Sequence, residues 1–123
     1  MTKRVLIAED EESIVASLEF LMRQCGFDTR VARDGEGAIG ALAEYRPDLV
    51  LLDIMLPGRS GFEICRLIRE NPALSRTRVL MLTAKGGLGD EARGMASGAD
   101  AYVTKPFSTR ELAARARELL DSP

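Results

Sequence analysis

Five short apolar runs punctuate the chain: Val5 to Ala8, Thr29 to Ala32, Leu49 to Leu52, Val79 to Leu82 and Ala101 to Val103. Most are nearly continuous in Val, Ile and Leu. That pattern predicts strands buried on both faces of a parallel sheet, because a half-exposed strand alternates apolar with polar residues. The second and fifth runs are weaker, which suits sheet edges. Between the runs, apolar residues recur at helical spacing. Ile14, Leu18, Leu21, Met22 and Cys25 form one stripe, stopped by Gly26. Ala38, Ile39, Leu42 and Tyr45 form another before Pro47. Ser60 to Glu63 reads as a capping box ahead of Ile64, Leu67 and Ile68, and Asn71-Pro72 ends that helix. Ser108 to Glu111 reads as a second capping box, ahead of Leu112, Leu119 and Leu120. The stretch from Gly86 to Gly98 is the poorest helix, since each interior glycine costs up to about 1 kcal/mol against alanine. Marginal elements of this kind are where switching segments are drawn from.

Strand then helix, five times over, predicts an α/β domain with a parallel sheet, helices on both faces and right-handed crossovers. The 123 residues suit one domain spanning 1–123, with no output domain attached. A chain of this size buries roughly two-thirds of its unfolded surface, enough for a core without staples. Net charge is −2, from 17 basic and 19 acidic residues well mixed along the chain. That speaks against binding nucleic acid or an anionic membrane through bulk charge. No apolar run approaches the ~18 residues of a membrane span, and four apolar residues after Arg4 are too few for a signal-peptide core. Cys25 and Cys65 lie in helical stretches outside any C-x-x-C, and read as buried free thiols in a reducing, cytoplasmic setting.

The chain has no histidine. Ser-His and Cys-His nucleophile pairs, His-ligated zinc and a phosphohistidine on this chain are therefore excluded. Chemistry must rest on carboxylates, lysine, hydroxyls and a metal. The predicted strands end in residues foreign to a core: Glu9-Asp10 after the first, Asp53 after the third, Thr83 after the fourth, Thr104-Lys105-Pro106 after the fifth. Taken singly, the acids could begin a helix or a turn, Thr83 could be a cap and Lys105 a surface lysine. Together they fall where open α/β sheets build their sites, in the crevice at the strand carboxyl ends. Carboxylates at close range repel unless a cation intervenes, and magnesium is the hard, oxygen-seeking choice. With a lysine and a hydroxyl opposite, the set meets the needs of phosphoryl transfer, which is mostly positioning and charge stabilisation. A carboxylate can be the covalent acceptor.

On these residues the chain closely resembles the receiver domain of two-component response regulators. The resemblance spans essentially the whole sequence. It is carried by Val5 to Glu11, by Leu51 to Gly58 with Gly61, by Leu82-Thr83-Ala84 and by Gly98 to Phe107. It implies a flavodoxin-like fold with strand order 2-1-3-4-5. It implies Asp53 as acceptor of a phosphoryl group from a sensor histidine kinase or phosphotransfer protein. Asp10, Asp53 and the Met55 carbonyl would ligate Mg2+, with Glu9 acting through a water. Thr83 and Lys105 would bind the phosphoryl oxygens. The Lys105-Pro106 bond would be cis, and Tyr102 would be the switch aromatic that follows Thr83. Such a domain catalyses only its own phosphorylation and dephosphorylation.

The resemblance further implies a downstream protein partner on the face of the fourth helix, fifth strand and fifth helix, with the domain a monomer or a weak phosphorylation-dependent dimer. Asp100, Glu111 and Arg115 suit the charged pairing used by one branch of the family, whereas Ala101 and Glu91 depart from it. Met55 and Lys85 are less typical for their positions and are expected to overhang the acceptor and hinder water. Three other readings compete. The chain could be the receiver of a longer DNA-binding regulator, although it stops directly after its last helix. A magnesium-dependent aspartyl-phosphate phosphatase is disfavoured because Met55 stands where such enzymes usually carry a second Asp. A flavin binder is disfavoured because Glu9-Asp10-Glu11 would repel a phosphate.

Overall fold

A computed structural model describes residues 2–84 and 89–121. Strands and helices alternate along the chain: β1 (Arg4–Ala8), α1 (Glu12–Gln24), β2 (Asp28–Ala32), α2 (Gly35–Tyr45), β3 (Leu49–Asp53), α3 (Gly61–Glu70), β4 (Arg78–Ala84), α4 (Asp90–Ala96), β5 (Ala101–Lys105) and α5 (Thr109–Asp121). A 3-10 turn at Pro72–Leu74 follows α3. All strand pairs are parallel and the order is β2-β1-β3-β4-β5. This is the flavodoxin-like order, with the weak second and fifth runs at the two edges.

The continuous apolar runs are explained by two cores, one on each face of the sheet. Leu6, Ala8, Val50, Leu52, Val79 and Met81 point to one face, where they meet residues of α2 and α3. Val5, Ile7, Leu49, Leu51, Leu80 and Leu82 point to the other, against α1 and α5. All twelve are fully buried. Neighbouring residues of one strand thus serve opposite cores, as the period-two geometry demands.

Local sequence sets the helix ends. Asp34 caps α2 by accepting from the Gly37 amide at 2.6 Å, and Ser60 caps α3 by accepting from the Glu63 amide at 3.2 Å. The reciprocal half of that capping box is replaced, because the Glu63 carboxylate pairs with Arg59 at 3.0 Å. Ser108 accepts from the Glu111 amide at 3.3 Å at the start of α5. The fourth helix is shorter than the Gly86 to Gly98 stretch, and the expectations for Gly86, Gly87 and Lys85 lie outside the described residues. Helix α1 ends at Gln24, so Cys25 is its C-cap and only half-buried, whereas Cys65 is buried. Burial pushes the Cys65 thiol up to about 11. No helix among the described residues is long and apolar enough to cross a membrane.

Candidate functional site

The register of the sheet gathers the polar strand ends. Ala8 pairs with Leu52, which sets Glu9 and Asp53 level at the ends of adjacent strands. Asp53 pairs with Leu82, Thr83 with Thr104, and Ala84 with Lys105. Backbone bonds hold these ends in place: the Glu9 amide donates to the Ala32 carbonyl at 3.1 Å and the Ile54 amide to the Leu82 carbonyl at 3.3 Å. Glu9, Asp53 and Thr83 are buried, with 0%, 5% and 5% of their surface exposed, while Asp10 is exposed. The site therefore has a closed floor and one acidic side open to water.

Three carboxylates converge here. Glu9, Asp10 and Asp53 each offer an oxygen within 4.8 Å of the others. Opposite them stands Lys105, whose ammonium lies 2.8 Å from Glu9 Oε1 and 3.4 Å from Asp53 Oδ1. Apart from this ion pair Glu9 Oε1 has no partner among the described residues, so the Lys105 ammonium is what compensates it. Glu9 Oε2 accepts from the amides of Asp10 and Glu11, both at 3.1 Å. Asp53 Oδ1 also accepts from the Met55 amide at 3.2 Å. Burial alone would lower the Lys105 pKa, but Glu9 and Asp53 outweigh it and hold the ammonium above its ordinary value.

The donor set fits a magnesium ion. All three acids supply hard oxygens, and Asp10 lies on the open side. An ammonium drawn against two buried carboxylates marks the same demand for positive charge. Thr83 lies at the rim of this cluster with Oγ1 3.5 Å from Thr104 Oγ1, a weak bond that leaves the hydroxyl able to turn. The Lys105-Pro106 bond is cis. Tyr102 is half-buried and packs on the core that contains Met81 and Ala99.

The Met55 side chain is 75% exposed, and its amide is the part that bonds the Asp53 carboxylate. Asp100, expected on a pairing surface, is engaged within the chain instead. Its carboxylate lies 2.7 Å from the Arg69 guanidinium, 3.6 Å from Arg78 and accepts from the Val79 amide at 2.7 Å.

Sequence reasoning named Gly61 only as part of the resemblance and passed over Arg59; the structure gives each a physical role beside the acceptor. The loop from Ile54 to Ser60 is closed by the Gly61 amide, which donates to the Ile54 carbonyl at 2.8 Å. A Cβ at Gly61 would lie 2.6 Å from the Asp53 carbonyl oxygen and 2.8 Å from Ile54 Cα, closer than real side chains stand. Only glycine lets α3 start directly against the acceptor's main chain. Arg59 ties the same loop to Glu36 of α2 at 2.9 Å and to Glu63 of α3 at 3.0 Å. The Pro57-Gly58 turn was the available signal for a tight loop, but its partners are remote in sequence.

The sequence matches the response regulator receiver domain family over residues 5–117. Solved structures are similar along their whole length. A protein of Chloroflexus aurantiacus J-10-fl assigned as a response regulator superposes with a TM-score of 0.94 at 32% identity, covering 99% of this chain and 100% of that one. The chemotaxis response regulator CheY4 of Vibrio cholerae gives 0.90 at 26% identity, covering 97% and 99%. The receiver domain of sensor histidine kinase PA1611 from Pseudomonas aeruginosa PAO1 gives 0.90 at 27% identity, covering 99% and 100%, and that structure has a magnesium ion coordinated in its active site cleft.

Proposed function

The chain belongs to the response regulator receiver domain family, and from that premise we propose that it accepts a phosphoryl group on Asp53 from a histidine kinase or phosphotransfer protein. The observation that carries this reading is the buried Asp53 carboxylate, level with Glu9, beside Asp10 and facing the Lys105 ammonium at 3.4 Å. In the transfer, the P–N bond of the donor phosphohistidine breaks and a P–O bond to an Asp53 carboxylate oxygen forms. The imidazole leaves with the bonding electron pair and takes a proton. Asp10, Asp53 and the Met55 carbonyl would hold Mg2+, with Glu9 reaching it through water. Bound there, the ion neutralises charge between the carboxylates and the incoming phosphoryl oxygens. Lys105 supplies the second positive charge, and the Thr83 hydroxyl donates to a phosphoryl oxygen.

The signal leaves through α4, β5 and α5. Thr83 turns toward the phosphoryl group, Tyr102 follows inward, and the face they border changes its shape for a downstream protein. Arg93, Met95, Glu111 and Arg115 are exposed there. Asp100 is occupied by Arg69 and Arg78, so charged self-pairing loses one of its three participants. The domain is accordingly a monomer that pairs at most weakly when phosphorylated.

Intact mass after incubation with acetyl phosphate and magnesium tests the acceptor. Wild type gains one phosphoryl group only when magnesium is present, and Asp53→Asn gains none. A gain in Asp53→Asn equal to that of wild type refutes the assignment.

A further inference from the structure

We infer that phosphorylation at Asp53 reaches α4 by a second route, through Gly61 and Phe62 to a stacked Arg93, in parallel with Thr83 and Tyr102. The inference rests on the receiver reading above. Its first link is steric. Gly61 stands so close to the Asp53 carbonyl and Ile54 Cα that no Cβ fits between them, and its amide is bonded to the Ile54 carbonyl. A displacement of the acceptor's main chain must therefore move the first turn of α3. The next residue of that turn is Phe62, 6% exposed and packed in the core with Ile54 and Met81. Close-packed side chains transmit a shift instead of absorbing it.

The second link is the ring face of Phe62. The Arg93 guanidinium of α4 lies 4.2 Å from the ring centroid, well inside the range of a cation–π contact. Gly94 follows it, and a Cβ there would touch Phe62 Cε1 at 3.9 Å and Met81 Cγ at 3.5 Å. Helix α4 thus meets Phe62 through the Arg93 cation on its ring, with Gly94 facing the same ring at a distance that a Cβ would bring into ordinary contact. Two positions of α3 relative to α4 would differ in this contact, which is the condition for coupling between sites. Phe62 and Arg93 are positioning residues in this scheme; neither touches the phosphoryl group.

A double-mutant cycle tests it. Hydrogen exchange of the peptide spanning residues 90–96 is measured with and without acetyl phosphate and magnesium, in wild type, Phe62→Leu, Arg93→Gln and the double variant. Intact mass in the same samples reports the loading of Asp53. Each single substitution is expected to reduce the phosphorylation-dependent change about two- to fivefold, the worth of an exposed cation–π contact. The double variant should reduce it no further, and Arg93→Lys should retain part of it. Arg93 is exposed, so its variants keep the fold even if Phe62→Leu loosens the core. Full loading with an unchanged α4 response in Arg93→Gln overturns the inference alone, as do independent, multiplying effects in the double variant. Failure of wild type to load Asp53 overturns the receiver reading and the inference with it.

Discussion

Replacing Lys105 by methionine removes the one cation that, among the described residues, is paired with the buried acids, while keeping the length of the side chain. At an effective dielectric constant of about 20, a pair at the 2.8 Å separation from Glu9 is worth about 6 kcal/mol, and one at the 3.4 Å separation from Asp53 about 5 kcal/mol. Desolvation of the ammonium and of Glu9, several kcal/mol per ion, offsets most of that gain. Truncation is nevertheless costly, because Glu9 is 0% exposed and would lose the ammonium that faces its Oε1. Removing one member of a buried pair costs about 3–5 kcal/mol; the open side at Asp10 places this case at the lower end, about 3 kcal/mol. For a domain of this size that lowers Tm by roughly 12 °C. The loss should appear in full in EDTA and shrink in millimolar magnesium, since an ion bound only by the folded state stabilises it by mass action. The sign with pH follows from the raised folded-state pKa. The Lys105 contribution is complete below the unfolded value of about 10.4 and is lost as pH rises through the higher folded value. The gap between wild type and Lys105→Met is then flat from neutral pH upward and narrows only in strong alkali. Urea titrations across that pH range supply the test. A Lys105→Met protein within about 1 kcal/mol of wild type in EDTA refutes the reasoning.

Gly61→Ala should cost about 1–3 kcal/mol by overpacking and slow the loading of Asp53, because the new Cβ meets the acceptor's carbonyl at 2.6 Å; urea midpoints and intact-mass time courses read the two effects. Gly40→Ala should stabilise by about 0.5–1 kcal/mol, since Gly40 lies inside α2 and nothing comes within 4 Å of an added Cβ; a Tm at or below that of wild type sinks the idea. Met55→Asn should shorten the life of the phosphorylated form, because an amide can orient water where an exposed thioether cannot; an unchanged half-life after removal of acetyl phosphate speaks against it.

The three central strands, β1, β3 and β4, are legible in the sequence because each is buried on both faces, and nearly continuous Val, Ile and Leu serves two cores at once, whereas the edge strands β2 and β5 leave weaker marks. The candidate site is legible for the opposite reason. Glu9, Asp53, Thr83 and Lys105 are residues a core would reject, and they recur at the one end of the sheet where rejection has a use. What the sequence hides is pairing between distant segments. Asp100 looked available for a partner subunit, yet Arg69, thirty-one positions away, holds it at 2.7 Å and bonds the Gly98 and Thr77 carbonyls as well. No local pattern distinguishes such an aspartate from a free one, because Asp100 lies just before β5 and the guanidinium that captures it comes from α3. Cys25 failed similarly on a small scale, since a helical stripe fixes a face but not the residue at which the helix stops.

The same distinction separates the chemistry from its output. An acceptor site imposes residue types: an acid to be phosphorylated, acids and a carbonyl for a hard cation, a lysine and a hydroxyl for the phosphoryl oxygens. Those demands leave marks that spacing can reveal. Transmission imposes only contact. Gly61 matters because it has no side chain against Asp53, and Arg93 because it lies on a ring of α3; a glycine and an arginine are ordinary residues for a helix start and a helix surface. The folded chain alone shows that the two form successive contacts leading away from the acceptor. On the coupling inferred above, variation at Phe62 or Arg93 would leave the acceptor chemistry intact while changing how strongly α4 responds to it.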